Sequence, residues 1–309
     1  MHKVFINEFG RLRSGWRALI FVAAFIALTF LIATVLRVVV LAAGSLGSSN
    51  VSHYVAELVF RFGLLGAALG AGYFCAHFLE GLPWRSLGLT LHRGWFRDLV
   101  LGFVIGFASL VVAVGVASRG LNFSLGSTGW SAIIKSMIGS AVLLFVAALA
   151  EEAMFRGYGL QTLSRAKLAW VGVLLTSVPF GLVHLGNPNV VPGVTFANTA
   201  LAGIWLAAAY LRTRSLWLPL GVHWSWNWAL GWFFGLPISG IQLVSNPLLQ
   251  GQDKGPKWLT GGSYGIEGGV ACTIALTLFT VFLWKTRWLK ATPELKQMTS
   301  AENPAPNQT

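Results

Sequence analysis

Glu151 and Glu152 stand side by side directly after the uncharged run 140–150, and Arg156 follows four residues beyond the second. On a helix Glu152 and Arg156 share a face and can pair, whereas Glu151 points about 100° away. An ionisable group at membrane depth is costly to keep there and is a functional candidate by default. Two further patterns lie in later apolar runs. Phe180-x-x-x-His184 puts an imidazole at the end of one, and His223-x-x-x-Asn227 puts an imidazole and an amide on one helical face.

These residue types form a kit for amide hydrolysis. Neighbouring carboxylates repel, so one stays protonated unless a cation offsets it. Arg156 can hold Glu152 ionised and leave Glu151 to accept a proton. A Glu and a His sharing one water polarise it as a nucleophile, and a His with an Asn supplies donors for an oxyanion. Glu151, His184 and His223 are equally the set that would hold a divalent metal such as zinc, with its water in an open position. No metal is required by the favoured chemistry, and the chain contains no His-Glu-x-x-His.

Each residue also has a plainer reading. A single buried histidine in a membrane helix is more often an interhelical hydrogen-bonder than a catalyst. Glu152–Arg156 alone can be a structural ion pair, and Asn227 alone can be interhelical glue. The whole set at similar depth is harder to explain as structure, because it is expensive in hydrocarbon. If the fourth apolar run stays helical to about residue 163, Glu151 lies roughly 18 Å from its end. His223 and Asn227 lie roughly 10 and 16 Å into theirs, and His184 roughly 21–24 Å. The four depths overlap.

The elements that must position these groups are membrane helices. The chain is 55% hydrophobic and 10% charged, with a mean hydropathy of +0.68, whereas soluble domains carry about 25% charge. Eight apolar runs approach the roughly 20 residues needed to cross a bilayer: 17–40, 54–79, 96–118, 131–153, 168–184, 195–211, 216–234 and 266–288. The basic start followed by run 17–40 resembles a signal peptide, but the run is too long for one and reads as an uncleaved span. The net charge of +12 lies in short loops and needs no nucleic-acid partner. Eight crossings put sixteen Lys and Arg on one side and only Arg119, Lys254 and Lys257 on the other. That bias predicts cytoplasmic termini.

The expected fold is therefore an all-α polytopic membrane protein of about eight transmembrane helices around a buried polar cluster. Residues 1–130 supply about three helices and 131–234 the catalytic core. Residues 235–291 are an outer loop, read as a connector, with the last helix, and 292–309 a disordered tail. Cys75 and Cys272 read as small core residues. Gly66/Gly70 and Gly102/Gly106 have the spacing for close helix approach. Arg37, Glu57, Arg61 and His77 read as structural. Trp224, Trp226 and Trp228 read as packing, with an apolar substrate groove as the alternative.

Glu151-Glu152-x-x-x-Arg156, Phe180-x-x-x-His184 and His223-x-x-x-Asn227, in this order on successive spans, resemble the three signature motifs of the CPBP family. That family comprises CAAX prenyl protease 2 (Rce1-type) and bacteriocin-processing enzymes, also called the ABI family of intramembrane proteases. The resemblance covers about residues 133–232. It implies endoproteolysis near the cytoplasmic side, on a prenylated CAAX-type or other membrane-associated peptide. By it, Glu151 and His184 activate the water, Glu152 and Arg156 support that base, and His223 and Asn227 stabilise the oxyanion. The family is often labelled metalloprotease, while its Rce1-type mechanism is described as glutamate-dependent. Some relatives point instead to bacteriocin immunity or a non-proteolytic scaffold. A proton-coupled transporter is a further alternative, weakened by the lack of an internal repeat.

Overall fold

The computed structural model describes residues 2–45 and 53–299. A short turn of helix, α1 (His2–Phe5), precedes α2 (Ser14–Ser45) and α3 (His53–Phe74). Next come α4 (Trp95–Val116), α5 (Trp130–Phe155), the short α6 (Tyr158–Arg165), α7 (Ala169–Val183), α8 (Val194–Thr213) and α9 (Trp217–Trp228). The chain closes with α10 (Lys257–Thr260), α11 (Val270–Lys285) and α12 (Pro293–Thr299). All eight apolar runs are helical. Among the described residues six spans are long and apolar enough to cross a membrane, and α11 is shorter. The molecule is an integral membrane protein. Trp16, Trp84, Trp130, Trp170, Trp258, Trp284 and Trp288 are exposed near span ends, as an interfacial belt requires.

The helices fall into two compact units. The first holds residues 1–90, 146–172 and 293–309, and the second 91–145 and 173–292. In the first, Phe21 of α2, Ala71 of α3 and Tyr158 of α6 share a core with Cys75 and Leu87. Cys75 and Cys272 are free and buried. Gly63 is where α3 approaches α2, because a Cβ there would lie 2.8 Å from Ile32. At Gly66 a Cβ would meet nothing within 4 Å, so the expected Gly66/Gly70 contact is displaced by one turn. Within the expected tail, residues 293–299 form α12, with Leu295 and Thr299 buried against this unit. Residues 300–309 lie outside the described residues.

In the second unit α4 and α9 meet backbone to backbone. A Cβ at Gly102 would overlap the Leu218 carbonyl oxygen, one at Gly106 the Val222 carbonyl oxygen, and one at Gly221 the Leu99 carbonyl oxygen. Only glycine allows that approach. The segment 235–265 is folded rather than a bare link. Its strand β2 (Leu249–Asp253) pairs antiparallel with β1 (Leu121–Leu125), the one sheet among the described residues. Glu267 ties the segment down, accepting from the Ser239 backbone at 2.6 Å and from the Trp226 indole at 3.0 Å. Burial, then the neighbouring Glu267 carboxylate, pushes the Tyr264 phenol up to about 12, so it stays a hydroxyl.

Candidate active site

The carboxylate motif belongs to the first unit. α5 does not run on to residue 163. It stops at Phe155 because Gly157 leaves the helical region (φ −68°, ψ −133°), and a Cβ there would overlap the Ala153 carbonyl oxygen. The straight-helix depth assigned to Glu151 is thus replaced by a break one turn beyond it. Glu152 and Arg156 pair at 3.1 Å with both side chains fully buried, so the expected i, i+4 bridge forms in a dry setting. There the attraction must offset a large desolvation cost.

Glu151 points elsewhere and is about one-fifth exposed. Its partner is Arg61 of α3, whose Nη1 lies 3.5 Å from Glu151 Oε1, while Arg61 Nε donates to Glu57 Oε1 at 2.7 Å. Arg61 thus pairs within its own helix and also shares its guanidinium with a second carboxylate. The available signal was the Glu57/Arg61 spacing of four on an apolar helix. Nothing in it named Glu151, 90 residues away. Of the other two groups read as structural, Arg37 is exposed and His77 stacks on Tyr73 at 5.5 Å.

The imidazole and amide motifs belong to the second unit. His184 opens a tight turn after α7 and its Nδ1 lies 2.7 Å from the Phe180 carbonyl oxygen. That contact makes Nδ1 the donor and leaves Nε2 as the acceptor in the neutral ring. The Phe180 ring is 4.7 Å from the His184 ring and 6.0 Å from that of His223. The structure therefore brings both histidines to one phenylalanine, which explains why residue 180 belongs to the motif. His223 is buried and Asn227, one turn on, is half-buried.

α9 and the wider helical turn that continues it over Ala229–Phe233 are held by a ladder unseen in the sequence. The indole N–H groups of Trp224, Trp228 and Trp232 donate to the carbonyls of Ala141, Met137 and Ile133 at 3.0, 3.3 and 3.2 Å. Both sets step by four along antiparallel helices. Trp226 faces the other way, against Trp205 at 5.7 Å. The alternating grouping 224/226/228 thus divides into three rungs, completed by Trp232, and one separate anchor.

Among the described residues no three His, Cys, Asp or Glu side chains cluster as a metal ion would require.

With these elements in view, the chain can be compared with known proteins. Residues 131–229 match the family described as "Type II CAAX prenyl endopeptidase Rce1-like". All three motifs fall inside that match, and the resemblance read from them is borne out for this segment. Among individual proteins, the chain is 24% identical over 179 residues to the uncharacterized protein YyaK of Bacillus subtilis, covering 56% of this chain. The matched region spans 58% of that relative's length.

Proposed function

We propose that this chain is an intramembrane endopeptidase that hydrolyses a peptide bond in a membrane-associated, prenylated CAAX-type or similar peptide. The observation that supports this reading is the ordered set of three motifs inside the Rce1-like segment. In this reading Glu151 accepts a proton from a water that His184 also polarises, and the water oxygen bonds to the scissile carbonyl carbon. The carbonyl oxygen becomes an oxyanion, taking hydrogen bonds from His223 and Asn227. As the C–N bond breaks, the proton held by Glu151 passes to the leaving amine. Glu152 and Arg156, locked together, fix the helix end that presents Glu151, and Arg61 orients its carboxylate. The bias of basic residues toward one set of loops supports cytoplasmic termini.

The test uses the purified full chain in detergent, offered a prenylated CAAX peptide and a panel of membrane peptides, with products read by mass spectrometry. A defined cut by the wild type, lost in Glu151→Ala and His184→Ala, is expected. Cleavage that survives Glu151→Ala overturns the reading, as does the absence of any product. A scaffold or immunity protein would instead keep its phenotype in Glu151→Gln.

A further inference from the structure

A cleft of about 450 Å³ in the first unit lies outside all of these motifs. It is lined by Asn7, Arg13 and Ser14 from the N-terminal segment and by Arg165 and Lys167 after α6, with Glu8 as its acid. Phe9 and Leu168 supply apolar wall. Three span ends converge here: Ser14 begins the first span, Arg165 ends the fourth, and Ala169 begins the fifth. The cleft is thus level with the headgroup zone, and the exposed Trp16, Leu19 and Trp170 adjoin it in sequence.

Its charge is built in. Glu80 binds two guanidiniums, Arg17 at 2.9 Å and Arg165 at 2.7 Å, all buried. Two guanidiniums thus meet on one carboxylate beneath the cleft. Arg13 and Lys167 add exposed cations at its rim. Lys167 stands in the left-handed region (φ 62°). It closes α6 by donating to the Ser164 carbonyl, while Leu168 donates to that of Leu163. Helices that end this way normally place glycine at that position. That conformation fixes the Lys167 backbone at the cleft rim, so its exposed ammonium is carried by an ordered turn.

We propose that this cleft binds a phosphate group, as carried by an anionic glycerophospholipid headgroup or by free phosphate. The shape favours the lipid source, because its acyl chains can lie along the exposed apolar face of α2.

Native mass spectrometry of the full chain in detergent, titrated with phosphatidylglycerol or phosphatidylcholine, tests this. Arg13→Ala/Lys167→Ala is expected to bind phosphatidylglycerol roughly thirtyfold more weakly, as loss of two interfacial cations implies. Lys254→Ala/Lys257→Ala removes the same charge elsewhere and is expected to bind as the wild type does. Lys167→Gly relaxes the backbone, so it is expected to fold normally while losing part of the affinity. Displacement of the lipid by millimolar inorganic phosphate assigns free phosphate to the same site, and failure to displace it restricts the site to lipid; either keeps the phosphate assignment. Equal binding by the rim variants and the control overturns the proposal, and so does equal binding of phosphatidylcholine.

Discussion

The first unit contains two ionic trios of opposite composition. Arg17, Glu80 and Arg165 put two guanidiniums on one carboxylate, with side-chain exposures of 0, 1 and 1%. Glu57, Arg61 and Glu151 put two carboxylates on one guanidinium, with exposures of 28, 29 and 18%. The sealed trio satisfies its acid from both sides and joins α2 to α6. The half-open trio sets two acids on one cation and stays partly exposed, and in the proposed reaction its Glu151 is the member that takes the proton. Removing a member of the first should cost fold, and removing one of the second should cost chemistry.

The contrast can be broken in order of effect. Glu151→Gln is expected to lower cleavage by about 10²–10⁴-fold, the usual contribution of a positioned base, with thermal unfolding in detergent unchanged. A parallel fall in stability would make the two trios alike. Glu80→Ala leaves two buried guanidiniums without their carboxylate and is expected to cost about 3–5 kcal/mol, seen as a lowered unfolding temperature or loss of folded protein. Gly102→Ala, which forces α4 off α9, should cost about 1–3 kcal/mol in the same assay. Arg61→Gln is expected to reduce cleavage about tenfold while changing stability by less than about 1 kcal/mol, since its partners are partly exposed.

The sealed trio also has a pH signature. Burial raises the Glu80 carboxyl, but Arg165 and then Arg17 outweigh it, so its folded pKa lies below the ordinary 4.5. A depressed acid contributes stability that is complete above its unfolded pKa and is lost as pH falls through the folded one. The wild type should therefore lose stability on acidification below about 4.5, and Glu80→Gln should lack that component. An unfolding temperature with the same acid slope in both would contradict this.

The helices and the three motifs were legible because hydropathy and i, i+4 spacing are local properties of the chain. All eight apolar runs are helical for that reason, and Glu152–Arg156 pairs as its spacing requires. What escaped were contacts between distant segments. Arg61 on Glu151 and Arg165 on Glu80 each join residues that look unremarkable alone, and Arg17 and Arg165 had read as loop cations. The break between α5 and α6 was not visible because one glycine, not a change in hydropathy, makes it. The segment 235–265 concealed β2, whose partner β1 lies more than a hundred residues earlier. The tryptophans of α9 were visible, but their period of four emerges only when Trp232 is counted with Trp224 and Trp228.

That ladder has a spectroscopic consequence. Its last two indoles lie 4.8 Å apart with ring planes only 15° from parallel. Chromophores so close exchange excitation, so the native chain should display a split circular-dichroism band that Trp232→Phe erases. The coupled pair gives α9 an intrinsic optical gauge, able to report without any label whether the imidazole-bearing helix stays seated when a substrate peptide is added.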